Sequence, residues 1–452
     1  VMFLGFNQSE VRVVELIPAG GPLSGGTEVL VVGHGFADHE VHCRFGNATE
    51  LVRARLINSS ALTCVTVAQA SAASVSVEVT LNGDAAAHTL TSDGVQFGFF
   101  DASLVTIGSV WPLGGPTAGG TRVVVRGANF HAPGSRGLFC KFVGADVVAA
   151  SYEGEEAVRC ATPASAAAGM VAVHLINNDA VYVTSVAFQY QEAVSVLSVE
   201  PRTGLLAGGT LLRVLGSGFV PSMTALVRVG SQPVVVARVL SSVLLECTTP
   251  LRTEAGLLPV EVTLNDQDYS SDEVLFEYQD AARVLEVSPS KGPSGGGGFV
   301  NVSGTGFSQR SFLLSYLFAR FNETRVPVVW VSSSEVHCVA PEHATGLVHV
   351  ELTLNDQQYT TDMVAFEYQD VVAHSIEPRN GPVLGGTLVV VRGANFHAPG
   401  SRGLFCKFVG ADVVAASWEG EEAVRCTTPS ASSAGFVAVH LISNDAVYVT
   451  SV

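Results

Sequence analysis

Eight cysteines are the residues of this chain best placed for covalent chemistry, and they fall into a pattern. Cys43 and Cys64 are 21 residues apart, while Cys140 and Cys160, and Cys406 and Cys426, are 20 apart. Cys247 and Cys338 lack such a predecessor, because Val227 and Ala319 stand where the earlier cysteine would be. An early cysteine thus never occurs without a late one. That one-sided loss predicts three disulfides, Cys43–Cys64, Cys140–Cys160 and Cys406–Cys426, with Cys247 and Cys338 as lone buried thiols. Eight free core thiols is the competing reading. A bridge closing a loop of this size stabilises by about 3 kcal/mol in the chain-entropy model, and it persists only in an oxidising compartment. No Cys-x-x-Cys occurs and the histidines show no ligand spacing, so neither zinc nor another cofactor is expected.

Five Asn-x-Ser/Thr sequons agree with an extracellular route: Asn7, Asn47, Asn58, Asn301 and Asn322. Asn47 and Asn322 read as turn residues, Asn58 as part of a turn before Cys64, and Asn301 as an outward position on a strand. N-linked glycans are therefore expected partners. Gly292-Pro-Ser294-Gly-Gly296 matches the nucleophile-elbow pattern, but an elbow needs a strand before it and a helix after it. Here it is one copy of a recurring turn, and no other catalytic motif is found. Two acidic clusters, Glu153/Glu155/Glu156 with its copy Glu419/Glu421/Glu422, and Asp266/Asp268/Asp272/Glu273, could ligate calcium. Neither has the loop spacing of a calcium motif, so they read as solvated hairpin tips. His131, Pro133 and Arg136, with copies His397, Pro399 and Arg402, form an insertion that is either a decorated loop or a lateral contact.

These residues are positioned by a repeat. Pro-x-x-Gly-Pro-x-x-Gly-Gly-Thr, or a close variant, opens at Pro18, Pro112, Pro201, Pro289 and Pro378. Each copy leads into an alternating run that ends in Gly-x-x-Phe or Gly-x-Gly-Phe, at Phe36, Phe130, Phe219, Phe307 and Phe396. Each of the first four units closes with Val-x-Phe-x-[Tyr/Phe], as at Val95, Phe97 and Phe99. Alternation, β-branched runs and Gly/Pro/Asn turns indicate about seven short strands per unit and no helix. Asn82, Asn178, Asn265, Asn355 and Asn444 each open a Gly/Asp turn that reads as a hairpin. The expected fold is all-β, five tandem immunoglobulin-like sandwiches in a rod. Residues 11–102, 103–193, 194–282, 283–372 and 373–452 make units one to five, and 1–10 supply a strand that completes a neighbouring unit. Ala128–Pro163 and Ala394–Pro429 differ only at Tyr152/Trp418 and Ala161/Thr427, so a three-unit period overlies the single one.

The opening motif, the Gly-x-x-Phe strand end, the Cys-x-[Thr/Ala]-Pro stretch and the closing Val-x-Phe-x-Tyr together resemble the IPT/TIG family. These immunoglobulin-like domains occur in plexins, in hepatocyte-growth-factor-type receptors, in fibrocystin-like surface proteins and in some transcription factors. The resemblance covers the whole chain, with Leu205 for the second proline in unit three and Gly298 for threonine in unit four. It implies an architecture; the family's functions are diverse.

Composition narrows the function. Lys+Arg 24 against Asp+Glu 41 gives a formal charge of -17, which repels nucleic-acid phosphates and anionic lipid. No apolar run is long enough to span a bilayer, so no membrane insertion is expected. Val1 is not followed by a charged-then-apolar leader, which reads as a mature or internal piece. The sequence is expected to be a non-enzymatic, secreted or cell-surface structural protein. The alternative is the ligand-binding ectodomain of a receptor or adhesion protein. The sharpest expectation concerns self-assembly. Val1, Met2, Phe3, Leu4, Gly5 and Phe6 fit the closing strand, with Val1 on Val186 and Phe3 on Phe188. Unit five stops at Val449, Thr450, Ser451 and Val452, where Val452 aligns with Val186. The leading strand of one copy is thus expected to complete unit five of the next, making a head-to-tail homopolymer. One long chain with the same strand placement is the plainer version.

Overall fold

In unit three, Leu212 and Val214 are fully buried while Leu211, Arg213 and Leu215, which alternate with them, face outward. That is the signature of a strand with one face against a partner sheet. The structure, a computed structural model, describes residues 8–448 apart from 38–39, 49, 87–88, 132–136, 178–179, 222, 232, 398–402 and 444–445. Unit three orders its strands Ser195–Glu200, Leu211–Ser217, Leu244–Thr248, Val234–Ser241, Ala225–Val229, Gly256–Thr263, Leu275–Gln279 and Thr203–Leu205. One long strand joins the two faces. The first half of Val234–Ser241 pairs with Ala225–Val229, and its second half pairs with Leu244–Thr248. The opening segment also changes face. Before Pro201 it pairs with Leu211–Ser217; after it, Thr203–Leu205 runs parallel to the closing strand Leu275–Gln279. The peptide bond before Pro201 is cis, as it is before Pro18, Pro112, Pro289 and Pro378.

The repeated residues occupy tight places. The opening strand bulges between Val196 and Ser198, and a Cβ on Gly216 would lie 2.0 Å from the Ser195 carbonyl oxygen. The same approach is 1.9 Å at Gly33, Gly127 and Gly304 and 2.0 Å at Gly393, so the motif needs glycine there. Inside, Phe276 and Tyr278 of the closing strand are fully buried and meet edge to face, with centroids 5.1 Å apart. Phe97/Phe99, Phe188/Tyr190 and Phe366/Tyr368 repeat that pair in units one, two and four.

Five sandwiches with separate cores are present, as the repeat predicts. Three details differ from the sequence expectations. Unit four carries a short α-helix, Gln309–Leu313, whose first turn is capped by Ser308 accepting from the Ser311 amide. One turn of helix is too short to show a period, which is why it was not legible. Second, Asn82, Asn265 and Asn355 do not open tight hairpins, and Asn178 and Asn444 lie outside the described residues. Residues 264–274 separate Gly256–Thr263 from Leu275–Gln279, and 354–363 play the same part in unit four. A hairpin does form in unit two, where Asn177 pairs with Ala180 and Leu175 with Tyr182. Third, among the described residues unit five has no counterpart of Thr203–Leu205.

Candidate functional site

The long loops of units three and four are where the molecule concentrates its unusual polar contacts, and they lie at the junctions between units. In unit three the loop is Leu264-Asn265-Asp266-Gln267-Asp268-Tyr269. Asn265 folds it: its Oδ1 accepts the amides of Gln267 (3.1 Å) and Asp268 (2.9 Å) and the Thr263 hydroxyl (3.0 Å). The Asp266 backbone is left-handed, φ 59°. Behind the loop, the Arg228 guanidinium lies 3.7 Å from the Tyr269 ring centre and is itself held by Glu261 at 2.7 Å. The Tyr269 hydroxyl donates to Asp266, and burial raises its pKa to about 12.

So braced, the loop presents amide and carboxylate groups to unit two. The Gln267 carboxamide Oε1 accepts the Arg122 backbone N–H at 3.1 Å, and its Nε2 donates to the Arg122 carbonyl at 2.9 Å. A side chain thus stands where a neighbouring strand would. Asp268 Oδ2 accepts from the Thr121 hydroxyl (2.6 Å) and from Asn265 Nδ2 (2.7 Å), and the same Nδ2 donates to the Gly114 carbonyl at 3.1 Å. Unit four repeats the device on unit three. Gln357 takes the Leu211 N–H at 2.8 Å and gives to its carbonyl at 2.9 Å, while Asn355 and Gln358 reach the Thr210 hydroxyl at 3.1 and 2.8 Å. Here Arg320, paired with Glu351, lies 4.0 Å from the Tyr359 ring centre. Tyr316 adds a bond to Glu200 at 2.7 Å across the same junction.

The other two junctions are of a different kind. His131 of unit two stacks on Phe100 of unit one at 4.3 Å, with burial lowering its pKa. His397 of unit five lies beside Pro293 of unit four. Its pKa is lowered by burial and then by Lys291, which itself pairs with Glu421 at 2.6 Å. The histidine insertion is therefore a unit–unit contact at His131 and His397; Pro133, Arg136, Pro399 and Arg402 lie outside the described residues. Asn129 and Asn395, both with left-handed backbones, donate to the linker carbonyls of Leu104 and Asp370 at 2.7 Å. The clamp cannot form at the last junction for two reasons. Unit four has Gly298 where units two and three have Thr121 and Thr210, and unit five folds Val439–Ser443 into a hairpin with Ala446–Tyr448.

The remaining candidate residues fall as follows. Cys43 is bonded to Cys64, Cys140 to Cys160 and Cys406 to Cys426, with Cα separations of 6.4, 6.5 and 6.3 Å. Cys247 and Cys338 are free and buried, and burial pushes both thiols up to about 12. Asn47, Asn58 and Asn322 are exposed, Asn58 at the end of the strand Arg55–Asn58, and Asn301 is half-buried. Asn7, Val1–Phe6 and Val449–Val452 lie outside the described residues. Ser294 donates to Asp370 at 2.8 Å, and Nδ1 of the adjacent His343 bonds to the Ala344 carbonyl, so the serine is not paired with an imidazole base. In the second acidic cluster Asp266, Asp272 and Glu273 are exposed, and the solvated-tip reading is corrected at Asp268. Asp268 belongs to the clamp, and Asp272 accepts the Val196 amide and the Ser195 hydroxyl. Sequence reasoning missed Gln267, Gln357 and Gln358. Their signal was the Thr-Leu-Asn-Asp-Gln-x-Tyr string shared by units three and four alone.

The molecule is thus an array of immunoglobulin-like sandwiches, two of whose junctions are closed by side chains bonded to a neighbour's main chain. The profile of the IPT/TIG domain matches residues 12–99, 105–190, 195–278, 282–368 and 372–451, and the chain belongs to that family. It is 30% identical over 212 residues to fibrocystin-L of Mus musculus, covering 47% of this chain and 5% of that protein. It is 33% identical over 205 residues to plexin-B1 of Homo sapiens, covering 44% of this chain and 10% of that one. Plexin-2 of Caenorhabditis briggsae is 26% identical over 280 residues, 58% of this chain and 15% of its own length. The chain spans a small part of these relatives. Among solved structures, the plexin A4 full extracellular region aligns with 96% of this chain and 48% of its own, at 12% identity and TM-score 0.38.

Proposed function

We propose that the chain is a non-enzymatic structural array of an extracellular protein, which holds sandwiches end to end and extends by accepting a closing strand from outside unit five. The observation that carries the first part is the clamp, repeated at consecutive junctions and directed at main-chain atoms. A linker alone would leave successive units free to swivel. Three disulfides favour an oxidising, extracellular route, and the exposed Asn47, Asn58 and Asn322 are suited to N-linked glycans.

The second part draws on unit five. A cleft of about 430 Å³ there is lined by Ile376, Pro378, Val383, Val389, Phe408 and Val439. In the other four units the closing Phe-x-[Tyr/Phe] strand occupies the corresponding space. A second copy's Val1–Phe6 has a matching phase, with Phe3 as the buried aromatic. Such donation is heterologous and propagates into a filament. The test is a synthetic Val-Met-Phe-Leu-Gly-Phe peptide added to the purified chain, beside electron microscopy of the chain alone. Saturable peptide binding that protects the amides of unit five, together with filaments lost in Phe3→Asp, is expected. An unbound peptide and unassembled particles at high concentration overturn strand donation.

The likeness to plexins and fibrocystin-L favours a second reading, a receptor or adhesion ectodomain. It requires a second protein as ligand, whereas the structural reading requires self-association without one.

A further inference from the structure

We propose that Asn301 of unit four carries an N-linked glycan whose first sugar packs on Phe299; the proposal rests on the extracellular reading above. Asn301 lies on the strand Phe299–Thr305 between Val300 and Val302, both buried, so its side chain is on the outer face of the sheet. It opens the sequon Asn301-Val302-Ser303. Phe299 precedes it by two residues on the same face, about 7 Å away by strand rise, and is 38% exposed. Across the sheet Phe299 is opposite Val339 and Asn301 opposite His337, with Val329 beyond. Val339 and Val329 are exposed, and the Phe299 ring meets His337 edge to face at 5.7 Å. The result is an apolar outer patch with a sequon at its edge.

The clamp explains why this patch is open. Phe299 holds the register position of Arg122 and Leu211, each opposite the residue that follows the unit's late cysteine. In units two and three that position lies under a glutamine of the next unit. In unit four, no loop of unit five reaches it among the described residues.

The amide geometry suits a sugar. Asn301 Nδ2 donates one hydrogen to Glu335 at 2.9 Å. Glu335 is opposite Ser303, on the side of Asn301 away from Phe299. One Nδ2 hydrogen can keep that bond while the other is replaced, which directs the new substituent toward the aromatic ring. In the transfer, Nδ2 attacks C1 of an N-acetylhexosamine carried on a polyprenyl pyrophosphate. The C1–N bond forms, the C1–O bond breaks, the lipid pyrophosphate leaves with the electron pair, and Nδ2 loses one proton. No redox partner is needed. The C–H face of the sugar then covers the Phe299 ring, removing apolar surface from water.

The test is the full chain secreted from eukaryotic cells, with glycopeptide mass spectrometry and hydrogen exchange on residues 299–305 and 335–339. A hexosamine-bearing Asn301 peptide is expected in the wild type and in Ser303→Thr, and not in Ser303→Ala. Exchange in both strands should rise severalfold in Ser303→Ala but gain nothing further when Phe299→Ala is combined with it. An unmodified Asn301 peptide overturns the proposal, as does an equal rise with and without Phe299. If Asn47, Asn58 and Asn322 are glycosylated and Asn301 is not, this proposal fails alone. If all four are bare, the extracellular reading fails with it.

Discussion

Gln267 makes two hydrogen bonds to one main-chain residue of another unit, and a carboxamide is the side-chain group that can both donate and accept there. Gln267→Ala should weaken the junction by roughly 1–3 kcal/mol, the worth of two hydrogen bonds at a part-exposed edge. Amide exchange at Arg122 should accelerate while that of Val125 and Val262, in the two cores, stays unchanged. Gln267→Glu is expected to be worse than alanine, because a carboxylate cannot donate to the Arg122 carbonyl and repels it. The buried thiols set a pH limit of another sort. Cys247 is raised from an ordinary 9.0 to about 12 by desolvation, so the unfolded chain gives up this proton first. Stability should be unaffected by this group below pH 9 and fall as pH climbs from about 9 towards 12. Tyr278, raised from 10.0 to about 12, adds to the loss from about pH 10. Urea midpoints measured across this range should fall later and less in Cys247→Val.

A strand in this fold depends on what crosses it as much as on its own alternation. Gly216→Ala puts a methyl group 2.0 Å from the Ser195 carbonyl, and neither backbone can yield without breaking the bulged pair. Unit three is expected to lose more than about 3 kcal/mol, in the range of severe core lesions, seen as a separate early transition in denaturant. Much of this level was legible in the residues. The Gly-x-x-Phe motif marked a close approach, alternation around Leu212 and Val214 marked the inner face, and the cysteine pattern paired the right strands. What the residues concealed was the direction of the loops. Asn265 signals a turn in any context, but whether the chain returns as a hairpin or reaches across a junction depends on two further residues and on the unit before it. The His131 insertion was seen yet could not be assigned, because its partner Phe100 belongs to a different sandwich. Gln309–Leu313 was invisible because one turn has no period.

Along the whole chain, two clamped junctions lie between two histidine junctions, an order that matches the near-identity of units two and five. Units two, three and four should therefore move as one block, with bending concentrated where units one and five attach. Class averages of single particles should show a constant angle within the block and a spread at its ends, and Gln267→Ala combined with Gln357→Ala should spread the block as well. A uniform spread in the wild-type protein would contradict this. The clamp also has a bearing on how such chains diversify. Its acceptor is arginine in unit two and leucine in unit three, yet the glutamine bonds are the same, because they address atoms common to nearly every residue. Substitutions on the accepting surface are nearly silent, whereas an interface of matched side chains would require paired changes. A unit bearing the loop can thus be copied, moved or placed after a new neighbour without losing its fit, provided that the neighbour keeps its Gly-Gly-Thr edge.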